Sequence, residues 1–144
     1  VGGCINNRSK KEKEALESFG RNLGICFQIT DDILDYSSKE KVFGKKIGND
    51  FLEGKITLPI ILLFQKSNKI ERQIINKFFS QDVRNQDDFN KTLDLIKKYK
   101  IIETCKKRAD YFSNVAADSL SIFEKNFTIE KLQELSFYIV NRLN

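Results

Sequence analysis

From about Ser9 to Tyr36, apolar residues recur at helical spacing: Leu16, Phe19, Leu23, Cys26 and Phe27, then Ile33 or Leu34. A period near 3.6 held over so long a stretch specifies one long helix, because a half-buried strand needs alternation with period two. No other part of the chain sustains such alternation between turn residues. Thr57 can cap a buried helix that has Pro59 in its first turn, where a missing N–H costs little. Further helices are predicted near 69–80, 87–99, 101–125 and 129–143, with Thr128 as N-cap of the last and Glu130 in its first turn. Between the first two helices lies SSKEKVFGKKIGNDFLEGK (37–55), a Gly- and Lys-rich connection with three of the seven glycines. The fold class is all-α.

Composition removes several chemistries. The 144 residues include no His, which excludes a His general base, Ser/His or Cys/His nucleophiles and His-ligated zinc. Cys4, Cys26 and Cys105 are too scattered for a CxxC site, and an odd, dispersed set argues against a disulfide framework. Lys+Arg number 25 against 20 Asp+Glu, a net +5, with lysine pairs spread along the chain as on a solvated surface. Nucleic-acid binding is not expected, since it calls for a dense basic stripe with interleaved aromatics. The longest apolar run, LPIILLF (58–64), is far short of the roughly 20 residues that span a bilayer. With no apolar leader at the N-terminus either, the expectation is a soluble, cytoplasmic chain.

The segment GICFQITDDILDY (24–36) carries the chemistry. On a helical wheel with Asp31 at zero, Asp35 falls near 40°, Gln28 near 60° and Asp32 near 100°, at about 100° per residue. Phe19, Leu23, Cys26, Phe27, Ile33 and Leu34 fall at roughly 200–320°. One face thus carries three carboxylates and an amide, and the other is core. Asp31 and Asp35 are like charges at i,i+4, with only Lys39 placed to relieve them locally. Such a face is either an ordinary polar surface or a site for a hard cation; Mg²⁺ takes one or two carboxylates, waters and phosphate oxygens.

The connection that follows favours the second reading. Gly44, Lys45, Lys46, Gly48 and Lys55 supply close backbone approach and ammonium point charges suited to phosphate. Asp50 and Glu53 either hold those lysines in position or add to a metal shell.

On these residues the chain resembles the trans-isoprenyl diphosphate synthases, in particular bacterial long-chain, octaprenyl-type enzymes. The blocks that carry the resemblance are GRNLGICFQITDDILDY (20–36) and FGKKIGNDFLEGKITLPIILL (43–63), two linked motifs in the family's order. It is strongest over 16–63 and weak between 66 and 126. The resemblance implies a helical bundle of the isoprenoid/terpenoid synthase type. It also implies that Asp31, Asp32 and Asp35 are the second DDxxD motif and bind Mg²⁺, with Asp31 the leading ligand. Gln28 would face the same cavity, Lys45 and Lys55 would bind the allylic diphosphate, and Phe27 would line the cavity wall, although the wheel equally permits Phe27 a core role. The implied reaction ionises an allylic diphosphate, which isopentenyl diphosphate then attacks before losing a proton, in isoprenoid and quinone side-chain biosynthesis. A homodimer is the assembly the family suggests.

The sequence also departs from the family. The first aspartate-rich motif, its following Arg and an upstream Lys-Thr pair have no counterpart; the only other Asp-Asp pair is Asp87-Asp88, in the unrelated context DDFNKTLD. The expectation is therefore that residues 1–144 are the C-terminal part of a single all-α synthase domain, inactive alone. The alternative is a non-catalytic helical subunit of another prenyl synthase chain. Terpene cyclases also use aspartate-rich helices, but GKxxGxD followed by EGKxTLP favours the chain-elongating branch.

Overall fold

A computed structural model describes residues 7–37 and 47–143. Among these described residues there are seven helices: α1 (Lys10–Ser37), α2 (Asn49–Leu52), α3 (Leu58–Lys66), α4 (Lys69–Phe79), α5 (Gln86–Lys98), α6 (Ile101–Ser119) and α7 (Phe127–Asn141). There is no strand among the described residues. The all-α expectation holds.

The ends of these helices follow local chemistry. Ser9 and Glu12 open α1 reciprocally: Glu12 N–H donates to Ser9 Oγ at 3.3 Å, and Ser9 N–H donates to the Glu12 carboxylate at 2.8 Å. Asn68 and Glu71 do the same for α4, each backbone N–H reaching the other side chain at 3.0 Å. Asn85 Oδ1 caps α5 by accepting the Asp88 N–H at 2.9 Å.

Three sequence expectations need correction here. The last helix is capped by Asn126, not Thr128: extended Asn126 accepts the Ile129 N–H at 3.0 Å, and Thr128 lies inside the first turn. The helix expected over 101–125 stops at Ser119, where i→i+3 bonds from Leu120, Ser121 and Phe123 tighten the chain into turns. Thr57 does occupy the N-cap of α3, but its hydroxyl makes no cap hydrogen bond.

The chain forms two compact units. One comprises residues 1–30 and 106–144. Its core cluster is Phe19, Ala116 and Leu120, with Leu16, Leu23, Phe123, Ile129 and Leu132 packed against it. Ser113 Oγ ties α6 to α7 by donating to Ser136 O at 2.8 Å, which satisfies a buried hydroxyl.

The other unit comprises residues 31–105. Its centre is Phe51 on the short α2, fully buried among the rings of Phe78, Phe79 and Phe89 at 5.4–6.3 Å between centroids. α2 and α3 both pack on α5, and α3 on α4. A four-residue helix has negligible intrinsic stability. Burial of Phe51, on the order of 1.5–3 kcal/mol, is what holds it in place.

Candidate diphosphate and metal site

α1 delivers the aspartates. Its buried residues are Phe19, Cys26, Ile29, Thr30, Asp32, Ile33 and Tyr36. On the wheel they occupy roughly 100–260°, so Asp32 falls at the edge of the buried arc while Asp31 and Asp35 lie outside it. Asp32 is accordingly only 6% exposed, and Asp31 and Asp35 are half-buried. The expected single carboxylate face is thus divided. Tyr36, on the same arc as Asp32, packs against Phe89 of α5, their rings 6.0 Å apart.

Gln28 and Phe27 belong to the first unit, and both are exposed. Phe27 is 49% exposed, with the Arg142 guanidinium 5.8 Å from its ring centroid. The core role that the wheel allowed it is not realised among the described residues. Lys45 lies outside the described residues.

Within the second unit, Asp35 and Asp32 anchor the backbone that follows them. The Asp35 carbonyl accepts the Gly48 N–H at 2.9 Å. Its carboxylate accepts the Asn49 N–H through Oδ1 and the Asp50 N–H through Oδ2, both at 3.1 Å. Three successive amides therefore end on one residue. Gly48, the N-cap of α2, has no side chain to offer, so Asp35 serves as its cap from 14 residues away. Asp32 Oδ2 accepts the Leu58 N–H at the first position of α3, at 3.3 Å. Carboxylates at helix N-termini are favoured by both the orphan donors and the helix dipole.

Gly48 is not the phosphate-approach residue that the sequence suggests. It is buried with φ +80°, and a Cβ there would lie 2.5 Å from the Phe89 ring. Glycine is required by packing and backbone conformation together.

The next link runs from Asp50 to Lys55. Lys55 Nζ lies 2.9 Å from Asp50 Oδ1 and 2.7 Å from Glu53 Oε2. Those two hydrogen bonds, Glu53 first, hold the ammonium above the usual lysine range. Asp50 and Glu53 thus hold the lysine in position, one of the two roles the sequence allowed them. Lys55 itself stays exposed, with its charge held in one place.

Nearby, burial pushes the Tyr36 phenol well above its ordinary range, helped by the charges of Asp35, Asp50 and Asp32. Thr57 is close enough to oppose that shift, but neither hydroxyl meets a partner of good hydrogen-bond geometry.

The donor set fits a shared metal better than a caged one. Among the described residues no group of three or more Asp, Glu, Cys or His converges to hold an ion. Asp32 and Asp35 each spend lone pairs on backbone amides, though a carboxylate has about four acceptor sites and keeps some for other partners. Magnesium needs only one or two carboxylates when waters and phosphate oxygens complete its shell. Hard oxygen donors beside a fixed lysine match a cation carried in with a phosphate.

A long helix bearing an aspartate cluster, followed by a lysine fixed by carboxylates, defines a candidate metal-and-phosphate site on an all-helical scaffold. Residues 1–96 match the family model described as polyprenyl synthetase. The chain belongs to that family. It is 28% identical over 134 residues to the octaprenyl diphosphate synthase of Haemophilus influenzae, covering 93% of this chain and 40% of that protein. A crystal structure of a decaprenyl diphosphate synthase from Rhodobacter capsulatus is similar over 100% of this chain and 43% of its own, with TM-score 0.87 and 28% identity. A polyprenyl synthase from Caulobacter crescentus, solved with calcium and isoprenyl diphosphate, is similar with TM-score 0.85 and 31% identity over 96% of this chain and 42% of its own. The chain thus spans about two-fifths of the length of such relatives.

Proposed function

We propose that this chain supplies the second aspartate-rich face and a diphosphate-binding lysine of a polyprenyl diphosphate synthase. The reaction would be the head-to-tail condensation of isopentenyl diphosphate with an allylic diphosphate, for isoprenoid or quinone side-chain biosynthesis. The observation that carries this reading is the Asp35–Asp50–Lys55 chain of contacts directly after Asp31 and Asp32, in a member of this family.

In this reading Asp31 leads the metal ligands, with Asp32 and Asp35 of the same motif, and Mg²⁺ when bound supplies Lewis-acid stabilisation of the diphosphate. Lys55, with Lys45 of the same connection, binds the allylic diphosphate and offsets the charge that develops as it departs. Gln28 and Phe27 contact the substrate one turn earlier on α1. The departing diphosphate can itself take up the proton, so a chain without His is no obstacle. We further infer a homodimer, a cytoplasmic location and membership of a single all-α domain. No helix among the described residues is long and apolar enough to cross a membrane.

The 144 residues contain one such aspartate motif, whereas the family reaction uses two that face each other. The chain alone is therefore expected to give no Mg²⁺-dependent elongation of an allylic primer with radiolabelled isopentenyl diphosphate. Adding the complementary part of a relative should restore product. In that mixture Asp31→Ala should abolish turnover and Asp87→Ala should not. Substantial elongation by the chain alone, or equal effects of the two substitutions, would overturn the reading.

A second reading, a non-catalytic helical partner, draws on the exposed apolar side chains of α7, with Phe127 at 75% and Tyr138 at 66%. It predicts stimulation that survives Asp31→Ala.

A further inference from the structure

We infer that the three aspartates of the motif divide their labour, and that Asp35 is a positioning residue for Lys55, not a metal ligand. The inference rests on the reading above, that Lys55 meets a diphosphate and Asp31 a metal. For Asp35 alone it replaces the metal-ligand role given there.

Both oxygens of Asp35 are committed to adjacent amides of α2, one to Asn49 and one to Asp50, each at 3.1 Å. Its carbonyl takes a third amide, from Gly48. Together these contacts fix how α2 starts. Asp50 is the next link, and its buried carboxylate holds Lys55 Nζ at 2.9 Å. The Lys55 N–H also donates to the Asp50 carbonyl at 2.8 Å, so Asp50 holds that lysine at backbone and side chain alike.

A metal ion on the remaining lone pairs of Asp35 would draw charge from a carboxylate that already accepts two amides and so weaken both hydrogen bonds, each on the order of 1.5–3 kcal/mol. It would also loosen the turn that aims the lysine. A ligand on Asp31, one helical turn earlier, disturbs neither. Geometry therefore assigns the metal and the lysine to different members of one motif.

The 144-residue chain can be tested with two separate probes: Mn²⁺ binding by electron paramagnetic resonance, and inorganic diphosphate binding in excess chelator by calorimetry. Asp35→Asn replaces an acceptor oxygen with an amide that opposes a backbone N–H. It should weaken diphosphate binding about tenfold, as should Lys55→Gln, from loss of a charge-assisted contact. Asp50→Asn, which weakens one of the two carboxylate contacts to Lys55 and leaves the cap intact, should weaken diphosphate binding in the same direction but by less, since Glu53 still holds the lysine. The double variant Asp35→Asn/Lys55→Gln should be no worse than either single one, because both remove the same interaction. Mn²⁺ affinity should stay within about twofold for Asp35→Asn and fall tenfold or more for Asp31→Asn.

A wild-type measurement covers the possibility that Asp35→Asn does not fold. The Asn49 and Asp50 amides should exchange slowly, and saturating Mg²⁺ should leave their protection unchanged. Loss of that protection with Mg²⁺ overturns the inference. So does an Asp35→Asn variant whose Mn²⁺ affinity falls as far as that of Asp31→Asn, or one that changes neither probe. If neither Lys55→Gln nor Asp31→Asn has any effect, or the wild type binds neither probe, the underlying functional reading fails and takes this inference with it.

Discussion

The Tyr99 hydroxyl donates to Glu71 Oε2 at 2.6 Å, and that same oxygen accepts the Asn68 N–H at 3.0 Å. The other carboxylate oxygen receives Lys98 Nζ at 2.7 Å, so one glutamate closes the capping box of α4 and latches α4 to the end of α5.

These partners, Lys98 first and then Tyr99 and Asn68, lower the Glu71 pKa from about 4.5 to about 2. The folded value lies below the unfolded one. The stabilisation is therefore complete above about pH 4.5 and is lost as the pH falls toward about 2. Thermal melts between pH 6 and pH 2 should show a steep acid loss in the wild type and a shallower one in Glu71→Gln, which starts from a lower melting temperature. Parallel pH curves for the two proteins would remove Glu71 as the source.

The cap of α7 offers a test of a different kind. Asn126→Ala removes the acceptor for the Ile129 N–H and should cost about 1 kcal/mol. Thr128→Ala changes a side chain inside the helix and should cost at most a few tenths, if it is not mildly stabilising. Urea denaturation of both variants gives the comparison, and a larger loss for Thr128→Ala would contradict the assigned boundary.

The sequence announces what depends on neighbours a few residues apart. α1 is legible because its apolar spacing and its Ser9–Glu12 start are local, and α4 and α5 emerge within a residue or two of their expected ends. The last cap is misread because Asn126 and Thr128 are both good caps, and only backbone conformation selects the extended Asn126. The aspartates are legible as a cluster, but not their separate partners. Asp35 meets Asn49 across 14 residues and Asp32 meets Leu58 across 26, separations at which no periodicity survives. Phe27 falls on the apolar side of an isolated wheel, yet the buried arc of the folded helix is turned away from it toward Asp32 and Tyr36. α2 escapes sequence reading altogether. Its four residues have no helical signature of their own and depend on a remote cap and on Phe51.

Among the described residues, cysteine chemistry should be silent in the native protein. Cys26 and Cys105 are fully buried, and burial, reinforced by Asp110, raises the Cys26 thiol above its ordinary range. The thiolate is the reactive form, so both residues should resist iodoacetamide in native buffer and label fully in guanidinium. Peptide mass spectrometry resolves the two sites. Rapid native labelling of either would show that its surroundings open far more readily than the packing implies.

Two glycine-to-alanine substitutions should move stability in opposite directions. At Gly48 the added methyl meets the Phe89 ring at 2.5 Å on a backbone with φ +80°. The left-handed conformation costs a non-glycine residue roughly 1–2 kcal/mol, and overpacking adds about 1–3 kcal/mol. At Gly20, inside α1, nothing lies within 4 Å of the new Cβ, and replacing a mid-helix glycine gains roughly 0.5–1 kcal/mol. Chemical denaturation of the two variants should therefore bracket the wild type. Because the Gly48 N–H also ends on the Asp35 carbonyl, Gly48→Ala should in addition shift the Asn49 and Asp50 amide resonances, whereas Gly20→Ala should leave them in place. A tolerated Gly48→Ala with an undisturbed α2 would mean that Phe89 and the turn yield more easily than their close packing implies.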